Sequence, residues 1–389
     1  MRLAAYSDFP YRRHGDRVYA EQAFVVFLLG LRGLVERLVL IGRLDPEPQP
    51  WHFPVPASVG YEPLPYYRRL SNPLNVVSVL GRSAVRFWHA LDGVDTVWLF
   101  GPNPLAILFA ILAMLRRRRV VLGVRQDYVA YVANRHPGRP LLRSIAYLLE
   151  GAFRLLGRRC RVIVVGPGLA RHYAHARELL SISVALVSEK EVITDVDSSA
   201  SSGGEELVVL SVGRLDNEKN PLLLADVLAL LNQGEGQWRL VVCGEGPLAQ
   251  ALHDRMVASG MADRAELRGF VPAGPELHEI YRSSDLFLHT SLTEGVPQVL
   301  FEAFAAGLPV VATDVGAVAE TVDGAALLVP PGDPRAAEET LRRLAGDSAL
   351  RGRMVAEGVQ IARAHTRETQ CERVFRFLQG SSEPHLAAR

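Results

Sequence analysis

The chain has 389 residues, 49% of them hydrophobic, so it is long enough for two ordinary domains with buried cores and is not a disordered protein. Its three cysteines (Cys160, Cys243 and Cys371) are far apart and lack metal-ligand spacing, which argues against a disulfide framework and a zinc site. The amino-terminal residues contain no apolar segment of signal-peptide length, so we expect the protein to remain in a reducing cytoplasm.

Arginine is distributed unevenly along the chain, although the formal net charge is only +1. Residues 1–188 hold 25 arginines against 12 acidic residues, a charge of +13, and the remaining residues carry a charge of −12. Such a split favours either attraction between two domains or a basic half that meets an anionic acceptor or the inner face of a membrane. Lysine occurs only at Lys190 and Lys219, and its compact ammonium group suits close contact with a phosphate oxygen.

The first residues follow the order of a βαβ unit. The sequence predicts a strand over Arg2–Phe9, a polar loop over Pro10–Asp16, an apolar helix over Val18–Leu34 and a second strand over Arg37–Gly42. Residues 45–75 are rich in proline and aromatic residues, and we expect irregular connections there. Their aromatic side chains either pack under a long loop or stack on an acceptor.

An apolar helix followed by a run of arginines comes next. The strand Asp95–Phe100 leads to a helix over Pro104–Leu115, which is too short to span a bilayer. The cations Arg116–Arg119 follow it and suit the carboxyl end of a helix dipole, with membrane-surface contact as the alternative. A strand over Val120–Val124 then ends at residues 125–127, Arg-Gln-Asp.

A polar linker closes the first half of the chain. Before it, we predict a helix over Leu141–Leu156 and strands over Arg161–Val165 and Ser183–Val187. Residues 195–206, DVDSSASSGGEE, have the small polar residues and paired glycines that are typical of a linker. The predicted parts are therefore an amino-terminal domain (1–194), a linker (195–206), a second domain (207–365) and a carboxy-terminal helix with a tail (366–389).

A glycine, two cations and a helix start form a compact loop at the beginning of the second domain. Leu207–Val212 predicts a buried strand, and the loop after it, GRLDNEKNP, begins at Gly213 and leads to a helix whose expected cap is Asn220. Gly213 permits close approach of a phosphate, while Arg214 and Lys219 supply cations at the carboxyl end of the strand. The alternative is a solvated charged loop.

A glycine-containing turn and a further strand follow the cationic loop. The strand Arg239–Cys243 is followed by Gly244 and Gly246 in the sequence GEGP, which is either a tight turn or part of a nucleotide cleft one βα unit after the cationic loop. Glu266–Val271 is expected to be a strand, in which ordinary packing would account for Phe270.

Residues 290–313, TSLTEGVPQVLFEAFAAGLPVVAT, contain a loop, a helix and a strand. Because proline starts a helix without losing a hydrogen bond, we predict a helix from Val296 or Pro297 onward, whose N-terminus offers free N–H groups to a diphosphate. Glu294 and Glu302 are eight residues apart, about 12 Å along a helix and roughly on one face. That span suits the two ends of a nucleotide sugar, with two surface glutamates as the alternative.

The E-x7-E pattern within EGVPQVLFEAFAAGLPVVAT and the loop GRLDNEKNP resemble the donor site of family-four retaining glycosyltransferases (glycosyl transferases group 1). The resemblance is strong over residues 207–330 and implies the GT-B architecture, an α/β fold of two Rossmann-like domains facing a cleft, whose last helix crosses back to the first domain. The family often has a histidine where this chain has Gln126. A glutamine positions a hydroxyl but does not carry a proton as imidazole does.

The resemblance also implies a role for each matching residue. Arg214 and Lys219 would stabilise charge on the leaving diphosphate, Glu294 would hold the sugar and Glu302 the ribose. The other donor contacts expected are Gly213, Gly244, Gly246, Phe270, Val296 and Pro297. A leaving-phosphate oxygen would accept the acceptor's proton, and the two cations would replace a metal, so neither a metal nor a cofactor is expected.

The resulting hypothesis is a metal-independent, retaining hexosyltransferase that moves a sugar from a nucleoside diphosphate to a glycan, lipid-linked or small-molecule acceptor. It would act in glycan, glycolipid or glycoconjugate biosynthesis. No nucleic acid partner is expected. A GT-B sugar phosphorylase or epimerase and a non-catalytic nucleotide-sugar-binding subunit remain as alternatives. A dinucleotide oxidoreductase is disfavoured, because the first strand runs into FPYRRHGD rather than a G-x-G-x-x-G fingerprint.

Overall fold

The computed structural model describes residues 1–47, 49, 51–67, 73–136, 138–184, 186–194, 206–234 and 237–380. Within these ranges the chain forms two α/β units. The first contains Met1–Val184 and the described residues from Gln370 onward, and the second is Ala185–Thr369. Each unit has its own sheet and its own buried core.

The first unit is built around a mainly parallel sheet. Its described strands are β1 (Arg2–His14), β2 (Arg17–Ala20), β3 (Arg37–Asp45), β4 (Phe53–Val55), β5 (Gly60–Leu64), β6 (Thr96–Gly101), β7 (Arg119–Val124), β8 (Arg161–Val165) and β9 (Glu178–Ile182). They are ordered β4-β2-β1-β6-β7-β8-β9, while β3 pairs with β1 and with β5. Its described helices up to β9 are α1 (Phe24–Gly30), α2 (Pro73–Ala90), α3 (Pro104–Leu115), α4 (Tyr128–Arg135), α5 (Pro140–Gly157) and α6 (Pro167–His172).

Apolar side chains on both faces of the central strands bury the first sheet. Tyr6 on β1 and the rings of Phe87, Phe109 and Phe153 are fully buried in one cluster. The rings of Phe87 and Phe109 stack with their centroids 4.0 Å apart, which fixes α2 against α3. The predicted bounds of α3 and β8 are confirmed, because strong apolar runs with clear ends define both.

The predicted polar loop at Pro10–Asp16 is wrong. Strand β1 continues to His14 and forms an antiparallel hairpin with β2, with Tyr11 opposite Ala20 and Gly15 at the turn. Alternation of polar and apolar residues favours this hairpin, and the buried Tyr11 ring lies against the backbone of Gly42. Helix α1 consequently begins at Phe24, six residues after the predicted start.

The second unit is a fully parallel, doubly wound sheet in its described residues. Its strands are β10 (Glu206–Val212), β11 (Gln237–Cys243), β12 (Ala265–Gly269), β13 (Leu286–His289), β14 (Val310–Thr313) and β15 (Ala326–Val329). Their order is β12-β11-β10-β13-β14-β15, so the direction of winding reverses between β10 and β13. Sheets of this kind bind ligands at the carboxyl ends of the strands where the order reverses.

Helices cover both faces of the second sheet. They are α7 (Leu222–Leu231), α8 (Ala249–Ala258), α9 (Pro275–Arg282), α10 (Gln298–Ala305), α11 (Val318–Val322), α12 (Pro334–Gly346) and α13 (Ser348–Ala364). Leu300, Phe301 and Phe304 of α10 are buried in the same cluster as Phe287 of β13. This packing fixes the position of the α10 N-terminus beside the end of β13.

The second unit begins at Ala185, about ten residues before the boundary that we predicted. Val187 and Val192 are buried in its core, and the Ile193 N–H donates to the Ala305 carbonyl at 2.9 Å. Residues 195–205 of the predicted linker lie outside the described residues. The predicted strand at Ser183–Val187 is wrong, because the last strand of the first sheet is β9, which ends at Ile182.

The last described helix, α14 (Arg367–Gln379), follows the second unit but packs with the first. Its Val374 and Leu378 side chains are fully buried, and the Cys371 thiol donates to the Phe27 carbonyl of α1 at 3.4 Å. The Arg161 guanidinium of β8 donates to the Phe377 carbonyl at 2.9 Å. The first unit is thus completed by residues that come after the second.

Candidate functional site

A pocket of about 280 Å³ lies at the carboxyl ends of β10 and β13, where the winding of the second sheet reverses. Six of the residues proposed from sequence line it, namely Gly213, Arg214, Lys219, Glu294, Val296 and Pro297. His289, Thr290, Ser291 and Gln298 are further lining residues that the sequence did not single out.

The two cations of the loop after β10 occupy different environments. The Arg214 side chain is 68% exposed and pairs with Asp216 at 2.6 Å and with Glu218 at 3.4 Å. Lys219 is more buried, and its ammonium group contacts the Glu294 carboxylate. Lys219 is therefore the cation that lies inside the pocket, while Arg214 lies at its solvent-exposed rim.

Hydrogen bonds attach this loop to the residues after β13. The Thr290 hydroxyl donates to the Lys219 carbonyl at 2.9 Å, and the Leu292 N–H donates to the Glu218 carbonyl at 2.8 Å. Asn220 does not cap α7 as predicted, since it adopts a left-handed φ of 48° and Pro221 occupies the cap position without a side-chain cap bond. The tight turn at Asn220 directs Lys219 towards the pocket.

Glu294 accepts three contacts through one oxygen. Its Oε1 atom accepts from Ser291 Oγ at 2.7 Å, lies 3.0 Å from His289 Nε2 and contacts the Lys219 ammonium group. Burial raises the pKa of Glu294, but the hydrogen bond from His289 and the charge of Lys219 outweigh it and lower the pKa to about 2. The carboxylate is therefore ionised at neutral pH although its side chain is only 9% exposed.

His289 and Ser291 are the functional residues that the sequence reasoning missed. His289 is the last residue of a strand that is otherwise apolar, and such a polar end of a buried strand is the signal that could have identified it. Its Nε2 atom faces the carboxylate, so this nitrogen carries the hydrogen, while Nδ1 is buried without a hydrogen-bond partner in the described residues. Both side chains therefore position Glu294.

The N-terminus of α10 forms another wall of the pocket. Val296, Pro297, Gln298 and Val299 line it, and Pro297 at the cap position supplies no side-chain hydrogen bond. The first N–H groups of a helix have no acceptor within the helix and carry partial positive charge. This wall therefore suits an anion such as a diphosphate.

Three glycines allow the loops of the site to approach each other closely. A Cβ atom on Gly244 would lie 1.8 Å from the Gly213 carbonyl oxygen, and one on Gly246 would lie 2.3 Å from the Leu215 carbonyl oxygen. Gly244 and Gly246 do not line the pocket but support the loop that carries Arg214. Gly316, which the sequence analysis did not consider, would place a Cβ atom 1.9 Å from the Glu294 carbonyl oxygen.

Gly316 supplies a direct test of this support. Its φ of 58° is left-handed, so Gly316→Ala is expected to displace the Glu294 segment and to destabilise the unit by about 1–3 kcal/mol. Gly332→Ala is the matched control, because Gly332 also has a left-handed φ, of 77°, but its Cβ position is open. We expect thermal unfolding to shift more for Gly316→Ala. Equal shifts for the two variants would mean that the close approach to Glu294 costs nothing.

Glu302 and Phe270 lie outside the pocket lining. Glu302 accepts from the Tyr281 hydroxyl at 2.8 Å, and its burial raises the pKa of the carboxyl group. The Phe270 ring is 46% exposed, and its backbone N–H donates to Glu245 at 3.3 Å. The structure therefore places Lys219 and Glu294 together but leaves these two residues beyond the pocket.

The first unit has a pocket of about 370 Å³ with both polar and apolar lining, at the carboxyl ends of β6 and β7 and beside the middle of β1. Gln126 lines it with Asp8 and Arg125, whereas the Asp127 carboxylate caps α4 by accepting from the Ala130 N–H at 2.9 Å. The Arg125 guanidinium lies 3.9 Å from the Phe24 ring centroid, and burial lowers its pKa to about 10. It remains a cation at neutral pH.

Two features of the described residues concern the site and its setting. They contain no group of three or more His, Cys, Asp or Glu side chains placed to hold a metal ion. None of their helices is both long and apolar enough to cross a membrane.

The part of the chain that contains the pocket at the ends of β10 and β13 also resembles known proteins. The family model "Glycosyl transferases group 1" matches residues 206–347. Similar curated proteins are the amylovoran biosynthesis glycosyltransferase AmsK of Erwinia amylovora, 31% identical over 37% of this chain and 37% of that protein, and the D-inositol 3-phosphate glycosyltransferase of Corynebacterium efficiens, 37% identical over 40% and 38%. The matched part thus spans less than two fifths of either relative.

Solved structures are similar over nearly the whole chain. Sucrose-phosphate synthase from Thermosynechococcus elongatus has a TM-score of 0.70 at 19% identity and covers 98% of this chain and 100% of its own. Anabaena HepE in complex with UDP has a TM-score of 0.70 at 16% identity, with coverage of 97% and 100%. At such identities the likeness shows the fold alone, and it confirms the prediction of a two-domain GT-B fold.

Proposed function

We propose, from the premise that residues 206–347 are a group 1 glycosyl transferase module within a GT-B fold, that this chain moves a sugar from a nucleoside diphosphate to an acceptor hydroxyl. The observation that carries the proposal is the pocket at the reversal point of the second sheet. It combines a cation at Lys219, an ionised carboxylate at Glu294 and the free N-terminus of α10.

The donor that we propose is a nucleoside diphosphate sugar of the hexosyl type. Its diphosphate would lie between Lys219 and the first N–H groups of α10, with Arg214 at the rim. Structures of Anabaena HepE hold UDP and UDP-glucose, so UDP-glucose is the first donor to test. A bound diphosphate competes with Glu294 for the Lys219 ammonium group. The Glu294 carboxylate can then accept hydrogen bonds from hydroxyl groups of the sugar.

The chemistry that we propose is transfer with retention. As the bond from the anomeric carbon to the diphosphate breaks, negative charge develops on the leaving oxygen, and Lys219, Arg214 and the helix N-terminus stabilise that charge. The acceptor oxygen bonds to the anomeric carbon on the face that the diphosphate leaves, and a leaving-phosphate oxygen accepts the proton of that hydroxyl. This route needs no protein base, which suits a chain with Gln126 where the family often has histidine.

We assign the second carboxylate to the ribose. Tyr281 is fully buried, and the hydrogen bond from its hydroxyl to Glu302 fixes one carboxyl oxygen. The other oxygen then remains for the ribose hydroxyls. Phe270, which is partly exposed, would contact the base.

The acceptor side is proposed to be the pocket of the first unit that contains Gln126. Gln126 would position a hydroxyl there, and the cation at Arg125 favours an acceptor with negative charge. The excess of arginine in residues 1–188 supports the same preference and, in addition, contact with an anionic membrane surface. The products we expect are glycans, glycolipids or related conjugates.

One experiment separates the candidate functions. Purified protein is incubated with UDP-, GDP- and ADP-linked hexoses and with acceptor hydroxyls, and the products are identified by mass spectrometry and their anomeric configuration by NMR. Transfer with retention supports the proposal. Release of sugar 1-phosphate that requires inorganic phosphate indicates a phosphorylase, conversion of the sugar without transfer indicates an epimerase, and donor binding without turnover indicates a non-catalytic subunit.

Metal independence is a separate prediction. Since Lys219 and Arg214 supply positive charge to the diphosphate, transfer or slow donor hydrolysis is expected to change by less than about twofold in EDTA. The measurement is the initial rate in EDTA, in EDTA followed by excess Mg²⁺ or Mn²⁺, and in untreated enzyme. Complete loss of activity in the chelator, restored by either ion, would contradict the assignment.

A further inference from the structure

A third pocket, of about 350 Å³, lies in the first unit at the amino ends of β7, β8 and β9. This is the sheet edge opposite the pocket that contains Gln126, because the strands are parallel. Among the described residues, five cations and one anion line it, namely Arg118, Arg119, Arg159, Arg161, Arg177 and Glu178. None of these residues lines the donor pocket or the pocket that contains Gln126.

The one carboxylate of this arginine pocket is already engaged. Arg161 pairs with Glu178 at 2.8 Å and donates to the Phe377 carbonyl at 2.9 Å. Arg177 lies 3.9 Å from the same carboxylate. Arg161 and Glu178 therefore hold each other in place within the pocket. Because Glu178 is paired with Arg161, it offsets little of the positive charge of the other guanidinium groups.

Arg118 and Arg159 form no ion pair with a carboxylate in the described part of the chain. The Nε atom of Arg118 is buried and has no hydrogen-bond partner among those residues. Buried polar atoms are nearly always paired, so this orphaned donor requires an explanation. A bound acceptor beside Arg118 would supply the missing partner.

Apart from Gln379, the uncharged described residues of the lining are apolar or, like Cys160, only weakly polar, and this strengthens the attraction for an anion. Met114, Val120 and Leu378 contribute to it, and burial raises the pKa of the Cys160 thiol, which therefore stays uncharged at neutral pH. Charges interact more strongly where water is partly excluded. Planar guanidinium groups bind phosphate oxygens through two parallel hydrogen bonds.

We propose that the arginine pocket binds the phosphate group of an anionic ligand through Arg118 and Arg159. The site is separate from the donor pocket, and it stands whether or not the chain transfers sugars. Two sources present this chemistry, a free phosphate compound and a phospholipid headgroup. The second is included because Leu115 and Leu155, 69% and 62% exposed, lie near the ends of the two helices that lead into Arg118 and Arg159.

The test compares two double variants of the full chain. Arg118→Gln with Arg159→Gln removes the two unpaired cations, and Arg32→Gln with Arg82→Gln removes the same charge from exposed arginines outside the pocket. Both are made in a Lys219→Ala background, so that the donor pocket contributes less to phosphate binding. Inorganic phosphate is titrated calorimetrically, and flotation is measured with phosphatidylcholine vesicles with and without phosphatidylglycerol. Thermal unfolding verifies that each variant is folded.

We expect the pocket variant to lose at least about tenfold in affinity for one probe, while the control variant changes by less than about twofold. Loss of inorganic phosphate binding identifies a free anion as the ligand. Loss confined to phosphatidylglycerol vesicles identifies a headgroup. If the two double variants behave alike with both probes, the proposal is wrong. Failure of UDP-glucose to bind the unmodified protein would count against the proposed function and leave this site unaffected.

Discussion

Lys219→Ala is expected to lower kcat by about 10²-fold or more with a smaller effect on the KM for the donor. The ammonium group lies inside the pocket beside the α10 N-terminus, where charge on a leaving diphosphate is greatest in the transition state. Steady-state kinetics with the best donor provide the measurement. Because the variant also leaves the Glu294 carboxylate without its cation, thermal unfolding must be recorded beside the kinetics.

Two further lysine variants control this result. Lys190→Ala removes the other lysine of the chain, which is exposed on the surface, and should leave kcat unchanged. Lys219→Arg should restore activity only in part, since a planar guanidinium does not replace a compact ammonium group in a small pocket. A folded Lys219→Ala variant that retains full kcat would refute electrostatic stabilisation by Lys219.

Glu294→Ala and Glu302→Ala are expected to differ in their effects on the affinity for free nucleoside diphosphate and on the turnover rate. Glu294→Ala should spare the affinity for nucleoside diphosphate, because Lys219 then pairs with the diphosphate alone, while turnover falls by about tenfold or more as sugar contacts are lost. Glu302→Ala should weaken binding of the same nucleotide, since its proposed partner is the ribose. Nucleoside diphosphate affinity by calorimetry and turnover are measured for each variant.

Conservative variants sharpen this comparison. Glu294→Gln keeps the shape of the side chain but removes the negative charge of the carboxylate, which Lys219 and His289 stabilise. Higher activity in Glu294→Gln than in Glu294→Ala would show that the shape of this side chain matters more than its charge. Tyr281→Phe removes the hydrogen bond that the Tyr281 hydroxyl donates to the Glu302 carboxyl group and should reproduce a part of the Glu302→Ala effect. Equal effects of Glu294→Ala and Glu302→Ala on nucleotide affinity and on turnover would contradict the proposal that Glu294 holds the sugar and Glu302 the ribose.

The sequence was most informative where local rules coincide with the fold. Strand β10 is a buried β-branched run, and the loop from Gly213 to Lys219 follows it at the sheet edge where parallel strands bind ligands. Glu294 was selected from a charge pattern, and a proline placed the start of α10 at Val296 or Pro297, whereas the helix begins at Gln298 with Pro297 at the cap position. These features are determined by residues that are close together in the chain, so a single sequence is enough to predict them.

Features that depend on distant residues were not predictable in this way. His289 gains its role from a carboxylate five residues on and a cation seventy residues earlier, and a lone histidine at a strand end does not reveal either. Gly316 matters because its backbone touches Glu294 in a separate loop. The start of the second unit at Ala185 follows from a contact between Ile193 and Ala305.

Helix α14 has a consequence for how the protein is made. Residues 1–184 leave the ribosome first, yet α14, which covers α1 and reaches β8, is synthesised only after the whole second unit. Domains usually fold in the order of their synthesis. Here the second unit is inserted within the first and can fold before it. The first unit exposes the apolar surface that α14 covers until α14 has been synthesised. A fragment ending at residue 184 should therefore aggregate, and co-expression of an α14 peptide should improve its solubility.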